Sequence, residues 1–164
     1  MVSDYKEILS DSAKGMKRSA IRELLKLTQK PEIISFAGGL PAKESFPLEQ
    51  LQEICAEVIA TDGAAACQYG STEGVPELLE ILAQRYRDQG LSYVTKENIT
   101  IITSSQQGLD TVGKIFLNRG DKYICELPSY LGAIGAFNSY GGIGVGIPQD
   151  EQGMSAVELE KTLA

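Results

Sequence analysis

The most informative local pattern in the sequence is Ile99-Thr100-Ile101-Ile102-Thr103-Ser104-Ser105-Gln106, in which a β-branched run meets a short polar turn. The nearly continuous β-branched run predicts a strand over 99–103 that is buried on both faces. The residues after the turn predict a helix over 106–117, because Leu109, Val112 and Phe116 recur at helical spacing and would face inward. A strand, a turn and a helix in this order form the repeating unit of α/β folds.

Two further strands are predicted on the C-terminal side of this unit. They are Lys122–Glu126 and Ile143–Ile147, and a helix over 128–140 lies between them. Ser155 and Glu158 have the spacing of a capping box and predict the start of a last helix. The alternation predicts an α/β architecture, with a mainly parallel sheet and flanking helices. Three strands are few for such a sheet, so we expect the chain to be cut short.

The N-terminal side is predicted to be mainly helical. Apolar spacing indicates a helix over 12–30 that Pro31 ends, followed by a short extended run over 33–36 and a turn at Gly38-Gly39. Pro47 and Pro76 are each expected in the first turn of a helix, and Gly90 is expected to cap the second of these. The residues expected on the buried faces are Leu48, Leu51, Cys55, Val58 and Ile59 in the first helix and Val75, Leu78, Leu79, Leu82 and Tyr86 in the second.

The composition restricts the classes of function. Of the 164 residues, 43% are hydrophobic and 23% are charged, as in ordinary globular proteins. A net charge of −7 without a basic stripe argues against a nucleic-acid partner. No window is long and apolar enough to cross a membrane, and the charged start at Met1–Ser10 is unlike a signal peptide. We therefore expect a cytoplasmic protein with no membrane partner.

Histidine is absent, which excludes serine–histidine and cysteine–histidine catalysis and removes most zinc sites. Cys55, Cys67 and Cys125 form no CxxC pair and are odd in number, so no disulfide framework is expected. Each cysteine is predicted to be a small buried hydrophobe. Any chemistry must come from Lys, Asp, Glu, Tyr or Ser side chains, or from a cofactor.

The polar turn at Ser104-Ser105 supports two interpretations. The unpaired N–H groups at a helix N-terminus carry about half a positive charge and attract phosphate, and the two hydroxyl groups would add donors. Alternatively, Ser105 is only the N-cap residue of the helix, which is a common role of serine. The chain has no GxxxxGK[ST] pattern, so the turn is not a P-loop.

Two tyrosines are further candidates. Tyr130 follows the strand over 122–126 at its carboxyl end, where ligands collect in open α/β sheets, and could stack on a planar ring or be a core tyrosine. Tyr69 lies in a polar loop and is either a phosphate contact or an exposed residue. Arg22 on the first helix is by itself interpreted as solvated, and Gly38-Gly39 as a turn or a close approach to a ligand.

Five segments follow one another along the chain: Ser19-Ala20-Ile21-Arg22-Glu23-Leu24-Leu25-Lys26; Ile34-Ser35-Phe36-Ala37-Gly38-Gly39-Leu40-Pro41; Gln68-Tyr69-Gly70 with Glu73-Gly74 and Leu78; Thr103-Ser104-Ser105-Gln106-Gln107-Gly108-Leu109-Asp110; and Pro128-Ser129-Tyr130-Leu131-Gly132-Ala133-Ile134. In order and spacing they resemble the N-terminal portion of a class I/II, fold-type I aminotransferase dependent on pyridoxal 5′-phosphate (PLP). Within that family the resemblance is to the branch of 2-aminoadipate and kynurenine/aromatic aminotransferases. It runs through essentially the whole chain.

The resemblance implies a role for each cofactor-site candidate. Ser104, Ser105 and Gln106 would hold the cofactor phosphate at the helix N-terminus, and Tyr130 would stack on the pyridine ring. Tyr69 would reach the phosphate of the neighbouring subunit, which implies a homodimer with shared sites. The family usually has glycine where this chain has Ser104, so the Cβ there would either crowd the phosphate or add a donor.

The resemblance also implies substrate contacts and a domain division. Gly39 and Leu40 would line the substrate pocket, and Arg22 would face the side chain or carboxylate of the substrate. Residues 1–46 would form an N-terminal segment that contributes to an arm and a small domain. Residues 47–164 would form the first part of the large cofactor-binding domain.

In the family, the Schiff-base lysine and the arginine that binds the substrate carboxylate come later than the residues matched here, so we expect no catalytic residue in this chain. The implied function is PLP-dependent transfer of an amino group between an amino acid and a 2-oxo acid, represented by an N-terminal fragment. The alternative is a non-catalytic remnant that binds a phosphate-bearing ligand or only a partner chain. PLP lyases and regulator-fused relatives would share the same fold.

Overall fold

The computed structural model describes residues 5–15, 32–34, 36 and 39–164, and these fall into two compact units. The first unit contains residues 5–15 and 102–164, and the second contains residues 32–34, 36 and 39–101. Most of the helix predicted over 12–30, together with Gly38, lies outside the described residues. The N-terminal end of that helix is observed as α1, Asp11–Gly15.

The first unit has the predicted α/β class. After α1 it contains α4 (Ser105–Phe116), β1 (Lys122–Leu127), α5 (Leu131–Ser139), β2 (Ile143–Asp150), β3 (Gly153–Met154) and α6 (Ala156–Leu163). The strand order is β1-β2-β3. β1 and β2 are parallel, from Lys122 opposite Ile143 to Leu127 opposite Pro148, whereas β2 and β3 form an antiparallel hairpin. Ile147 in β2 is 1% exposed and Ala136 in α5 is 5% exposed, so the core lies between this sheet and α5.

The strand predicted over 99–103 is not formed. Ile99 has extended backbone angles (φ −121°, ψ 136°), and the amide of Ile101 donates to the carbonyl of Glu73 at 2.7 Å. No ladder joins residues 99–103 to another strand within the described residues. A β-branched run favours an extended backbone, but a strand also needs a neighbour that supplies ladder hydrogen bonds. The third strand of the observed sheet is β3.

The second unit contains two helices, α2 (Leu48–Ala66) and α3 (Pro76–Asp88). Pro47 immediately precedes α2, one position earlier than predicted, and Asp62 interrupts its helical angles at φ −142° and ψ 30°. The predicted buried face of α2 is instead exposed, with Leu48 at 67% and Ile59 at 59%. None of the α2 residues is buried, so nothing in the described part of the chain covers this face.

Helix α3 begins and ends as predicted. Pro76 is its first residue, and Gly90 follows its C-cap with φ +96°. The amide of Leu91 donates to Tyr86 O and that of Gly90 donates to Arg87 O, which is the Schellman arrangement that glycine favours. The predicted buried face is confirmed only in part: Leu79 is buried and Leu82 is half-buried, whereas the outer residues are exposed. These are Val75, Leu78 and Tyr86.

Helices α4 and α5 pack against each other through a glycine. Gly113 is the buried residue of α4, whereas Val112 and Phe116, predicted to face inward, are exposed. A Cβ at Gly113 would lie 2.9 Å from Tyr140 Cδ2 and 3.2 Å from Phe137 Cδ1. The rings of Phe137 and of Tyr140, the C-cap residue of α5, thus lie against the Gly113 side of α4.

Two local predictions are corrected at the level of single side chains. Cys55 and Cys67 are exposed rather than buried, and Cys125 is half-buried in β1. Ser155 caps α6, because its hydroxyl accepts from the amide of Glu158 at 3.4 Å. A capping box has a second hydrogen bond, in which the Ser155 amide would donate to the Glu158 side chain. Here the amide of Ser155 donates instead to the carbonyl of Pro148 at 2.9 Å.

Across the described residues, no helix combines the length and apolar character needed to cross a membrane.

Candidate functional site

The N-terminus of α4 presents backbone donors. Ser104 is the N-cap residue, and its carbonyl accepts from the amides of Gln107 at 3.0 Å and Gly108 at 3.4 Å. Within the described residues, the amides of Ser105 and Gln106 have no backbone acceptor. Because the first N–H groups of a helix lack intrahelical partners, these two amides are available to an anion.

The two hydroxyl groups stand at the same helix end. Ser104 has an extended backbone (φ −165°, ψ 168°), which any residue can adopt, so a serine at this position causes no backbone strain. The Ser104 side chain makes no cap hydrogen bond. Instead, the side chain of Gln107 accepts from the amide of Thr103 at 2.6 Å. The Ser104 hydroxyl is therefore not engaged in closing the helix end.

Tyr130 and Gln106 meet at Gly132. Tyr130 is the N-cap residue of α5, and its side chain is 77% exposed. Nε2 of Gln106 lies 3.5 Å from the carbonyl oxygen of Gly132. A Cβ placed on Gly132 would lie 3.0 Å from Tyr130 Cε1 and 3.2 Å from Gln106 Oε1. The structure thus brings together Ser104, Ser105, Gln106 and Tyr130, which the sequence predicted, and adds Gly132, which sequence reasoning had not singled out.

Polar and aromatic contacts fix α4 and α5 behind this cluster. The hydroxyl of Tyr140 donates to Asp110 Oδ2 at 3.1 Å, which ties the end of α5 to the middle of α4. Desolvation, and then the bond to Asp110, raise the pKa of Tyr140. The hydroxyl of Tyr123 donates to Asn138 at 2.9 Å, and its ring meets that of Phe137 edge to face at 5.0 Å. Burial, and then the electrostatic interaction with Cys125, raise the pKa of Tyr123.

The remaining predicted site residues belong to the second unit or lie outside the described residues. Tyr69 is 98% exposed, and its amide donates to Gln68 Oε1 at 2.8 Å. Gly39 has φ +59°, in the left-handed region that favours glycine, and Leu40 beside it is exposed. Arg22 is outside the described residues. The structure therefore gathers the candidates of the first unit around α4 and describes Tyr69, Gly39 and Leu40 within their own unit.

In this α/β unit, a helix end with two amides that lack a backbone acceptor lies near the exposed ring of Tyr130, which is an arrangement suited to a ligand with an anionic group and a planar ring. Comparison with known proteins defines the family. The protein-family model described as "Aminotransferase class I and II" matches residues 31–164 of this chain. Because this match covers most of the chain, the protein belongs to that family.

Two relatives that match nearly the whole of this chain are aminotransferases. The chain is 44% identical over 160 residues to aromatic-amino-acid aminotransferase 1 of Thermococcus litoralis, covering 98% of this chain and 38% of that protein. It is 43% identical over 159 residues to 2-aminoadipate transaminase of Thermus thermophilus, covering 97% of this chain and 38% of that protein. The chain thus spans well under half the length of the curated relatives it matches.

A solved structure supports the same assignment and carries a cofactor derivative. The α-aminoadipate aminotransferase of Thermus thermophilus, solved in complex with N-(5′-phosphopyridoxyl)-L-leucine, superimposes with a TM-score of 0.85 at 40% identity. The superposition covers 98% of this chain and 38% of that one. Fold type I and membership of the aminotransferase family are therefore confirmed.

Proposed function

We propose that this chain is the cofactor-anchoring part of a PLP-dependent aminotransferase, which transfers an amino group between an amino acid and a 2-oxo acid. The observation that carries the proposal is the juxtaposition of a donor-rich helix end with the exposed ring of Tyr130, on one unit of a chain that belongs to this family. Two amides and two hydroxyl groups match the acceptor oxygens of a phosphate. The flat face of a tyrosine matches a pyridine ring.

The helix end would bind the phosphate. The amides of Ser105 and Gln106 and the hydroxyls of Ser104 and Ser105 would donate to its oxygens, and the partial positive charge of the α4 N-terminus would favour its negative charge. A charge near a helix N-terminus contributes about 0.3–1 kcal/mol at an exposed position. All three side chains are exposed, so several such donors must act together to give useful affinity.

Tyr130 would orient the cofactor ring. Its ring stands at the N-terminus of α5, and Gln106 links the first turn of that helix to α4. A stacked aromatic pair contributes about 0.5–1.5 kcal/mol beyond area burial. When bound, PLP acts as an electron sink that facilitates loss of the substrate's α-proton. The residues of this chain would anchor and orient the cofactor, and none of them is assigned to move that proton.

The second unit would supply substrate and subunit contacts. In this proposal, Tyr69 reaches the cofactor phosphate of a neighbouring subunit in a homodimer, and its fully exposed ring is available for such a contact. Gly39 and Leu40 line the substrate pocket, and Arg22 faces the substrate. Arg22 favours a dicarboxylic or aromatic amino donor, in keeping with the 2-aminoadipate and aromatic aminotransferases among the relatives.

The proposal includes the domain division and the location. Residues 1–46 form the N-terminal segment, and residues 47–164 form the first part of the large cofactor-binding domain of a cytoplasmic enzyme. The alternative, a non-catalytic remnant that binds a phosphate-bearing ligand or a partner chain, is not favoured, because the two aminotransferases named above match this chain along almost its whole length.

Binding of pyridoxamine 5′-phosphate to the purified chain tests the proposal, because this cofactor form has no aldehyde to label surface lysines. We expect saturable one-to-one binding by isothermal titration calorimetry, and we expect the double variant Ser104→Ala, Ser105→Ala to abolish it. Ser139→Ala is the matched control, since Ser139 lies at the far end of α5 and donates to Ala136 O. No binding by the unaltered chain, or equal loss in the control, contradicts the assignment.

A further inference from the structure

The first turn of α5 contains a glycine whose backbone conformation does not require one. Gly132 is not among the residues with positive φ, and glycine is one of the poorest helix formers. Its surroundings give the reason instead. A Cβ at this position would lie 3.0 and 3.2 Å from two carbon atoms of the Tyr130 ring, closer than ordinary van der Waals contact.

We propose that Gly132 is a positioning residue that sets the orientation of the Tyr130 ring beside the N-terminus of α4, an inference that rests on the proposed function. The ring lies against bare backbone because Gly132 has no side chain. The same missing side chain leaves room for Gln106, whose Oε1 would lie 3.2 Å from the Cβ. One glycine thus allows the ring and the amide side chain to meet.

Because Tyr130 is exposed, we expect a substitution at Gly132 to change the orientation of the Tyr130 ring rather than the stability of the fold. The side chain is 77% exposed, so surrounding packing does not confine it and it can rotate away from an added methyl group. A methyl group at residue 132 would therefore move the ring rather than unfold the unit. Because alanine is also the better helix former, α5 should remain formed. The expected effect falls on ligand orientation and leaves folding intact.

Gly135 provides a matched control one turn further along α5. A Cβ at Gly135 would meet nothing within 4 Å, whereas the Cβ at Gly132 meets the Tyr130 ring. The two glycine-to-alanine changes have the same chemistry and lie in the same helix. They differ in whether the new methyl group touches the Tyr130 ring and the end of the Gln106 side chain.

The test compares a ligand that has a ring with one that does not. Titrations of pyridoxamine 5′-phosphate and of inorganic phosphate are measured calorimetrically with the unaltered chain, Gly132→Ala and Gly135→Ala. We expect Gly132→Ala to weaken pyridoxamine 5′-phosphate by about twofold to tenfold, the range that corresponds to loss of an aromatic stacking contact. Inorganic phosphate should bind all three proteins equally.

Nuclear magnetic resonance provides a readout that needs no ligand. In the unaltered chain, one α-proton of Gly132 should show a ring-current shift and a nuclear Overhauser effect to the Tyr130 ring, and Tyr130→Leu should remove both. Equal affinities of Gly132→Ala and Gly135→Ala for pyridoxamine 5′-phosphate, or an absent ring-current shift, overturn this inference alone. If the unaltered chain binds no pyridoxamine 5′-phosphate, the proposed function fails and this inference fails with it.

Discussion

The packing of α4 on α5 can be measured by making one substitution at two glycines. Gly113 is buried inside α4, where a new Cβ would meet Tyr140 at 2.9 Å and Phe137 at 3.2 Å. Gly135 lies inside α5, where a new Cβ would meet nothing within 4 Å. Alanine gains a similar helix propensity at either position. The difference between the two variants therefore reports the contact between the helices.

Replacing a helical glycine with alanine stabilises a helix by about 1 kcal/mol, so Gly135→Ala should raise the free energy of unfolding by about that amount. At Gly113 the same gain is opposed by overpacking, which costs about 1–3 kcal/mol in a well-packed interior. Phe137 also packs on Tyr123, and Tyr140 is held by Asp110, so neither ring can move away freely. We expect Gly113→Ala to be less stable than Gly135→Ala by about 1–3 kcal/mol.

The assay is urea unfolding of the full 164-residue chain, followed by far-ultraviolet circular dichroism, with both variants and the unaltered protein measured together. Comparison of the denaturant slopes checks that the substitutions have not altered the unfolded state. If Gly113→Ala proves as stabilising as Gly135→Ala, the two helices do not pack through Gly113 and the reasoning is refuted.

Two further predictions follow from the same structure. Since desolvation raises the pKa of Tyr140 above the ordinary value of 10.0, its protonated form stabilises the fold and stability should fall as the pH rises past that value. In thermal melts at alkaline pH, Tyr140→Phe should reduce the fall of the melting temperature with rising pH. An unchanged dependence on pH would show that Tyr140 is not the group responsible. In the native chain Cys55 and Cys67 should react quickly with a thiol reagent and Cys125 slowly, as stopped-flow absorbance would show; three equal rates would contradict the described exposures.

Features set by neighbouring residues could be predicted from the sequence. Pro76 begins α3 and Gly90 ends it, because a missing N–H and a tolerated positive φ act within a single turn. The β1 and β2 strands were likewise predicted, and Ser155 caps α6. The turn at Ser104–Gln106, with its hydrogen-bond donors, could also be predicted from neighbouring residues, because the apolar residues that follow it recur at helical spacing.

Features that depend on distant parts of the chain could not be predicted in this way. The run over 99–103 has an extended backbone, but whether it forms a ladder depends on a strand elsewhere. Gly113 in α4 takes its role from Phe137 and Tyr140 at the C-terminal end of α5, and Gly132 in α5 takes its role from Tyr130, the residue before that helix. The apolar spacing within one helix does not report either contact. The only signal for Gly132 is a glycine in the first turn of a helix, directly after a candidate tyrosine.

The exposed face of α2 shows the same distinction at a larger scale. Its apolar residues recur at helical spacing, as in a helix that packs on a core, yet all of them are exposed. Each leucine or isoleucine gains about 1.5–3 kcal/mol on full burial, so a stripe of this kind favours a partner surface strongly. The spacing of apolar residues along a helix indicates that one face is suited to burial. It does not show which polypeptide segment covers that face. For a chain that spans about 38% of the length of its relatives, the apolar stripe of α2 is therefore consistent with the aminotransferase fold even though nothing in the described residues covers it.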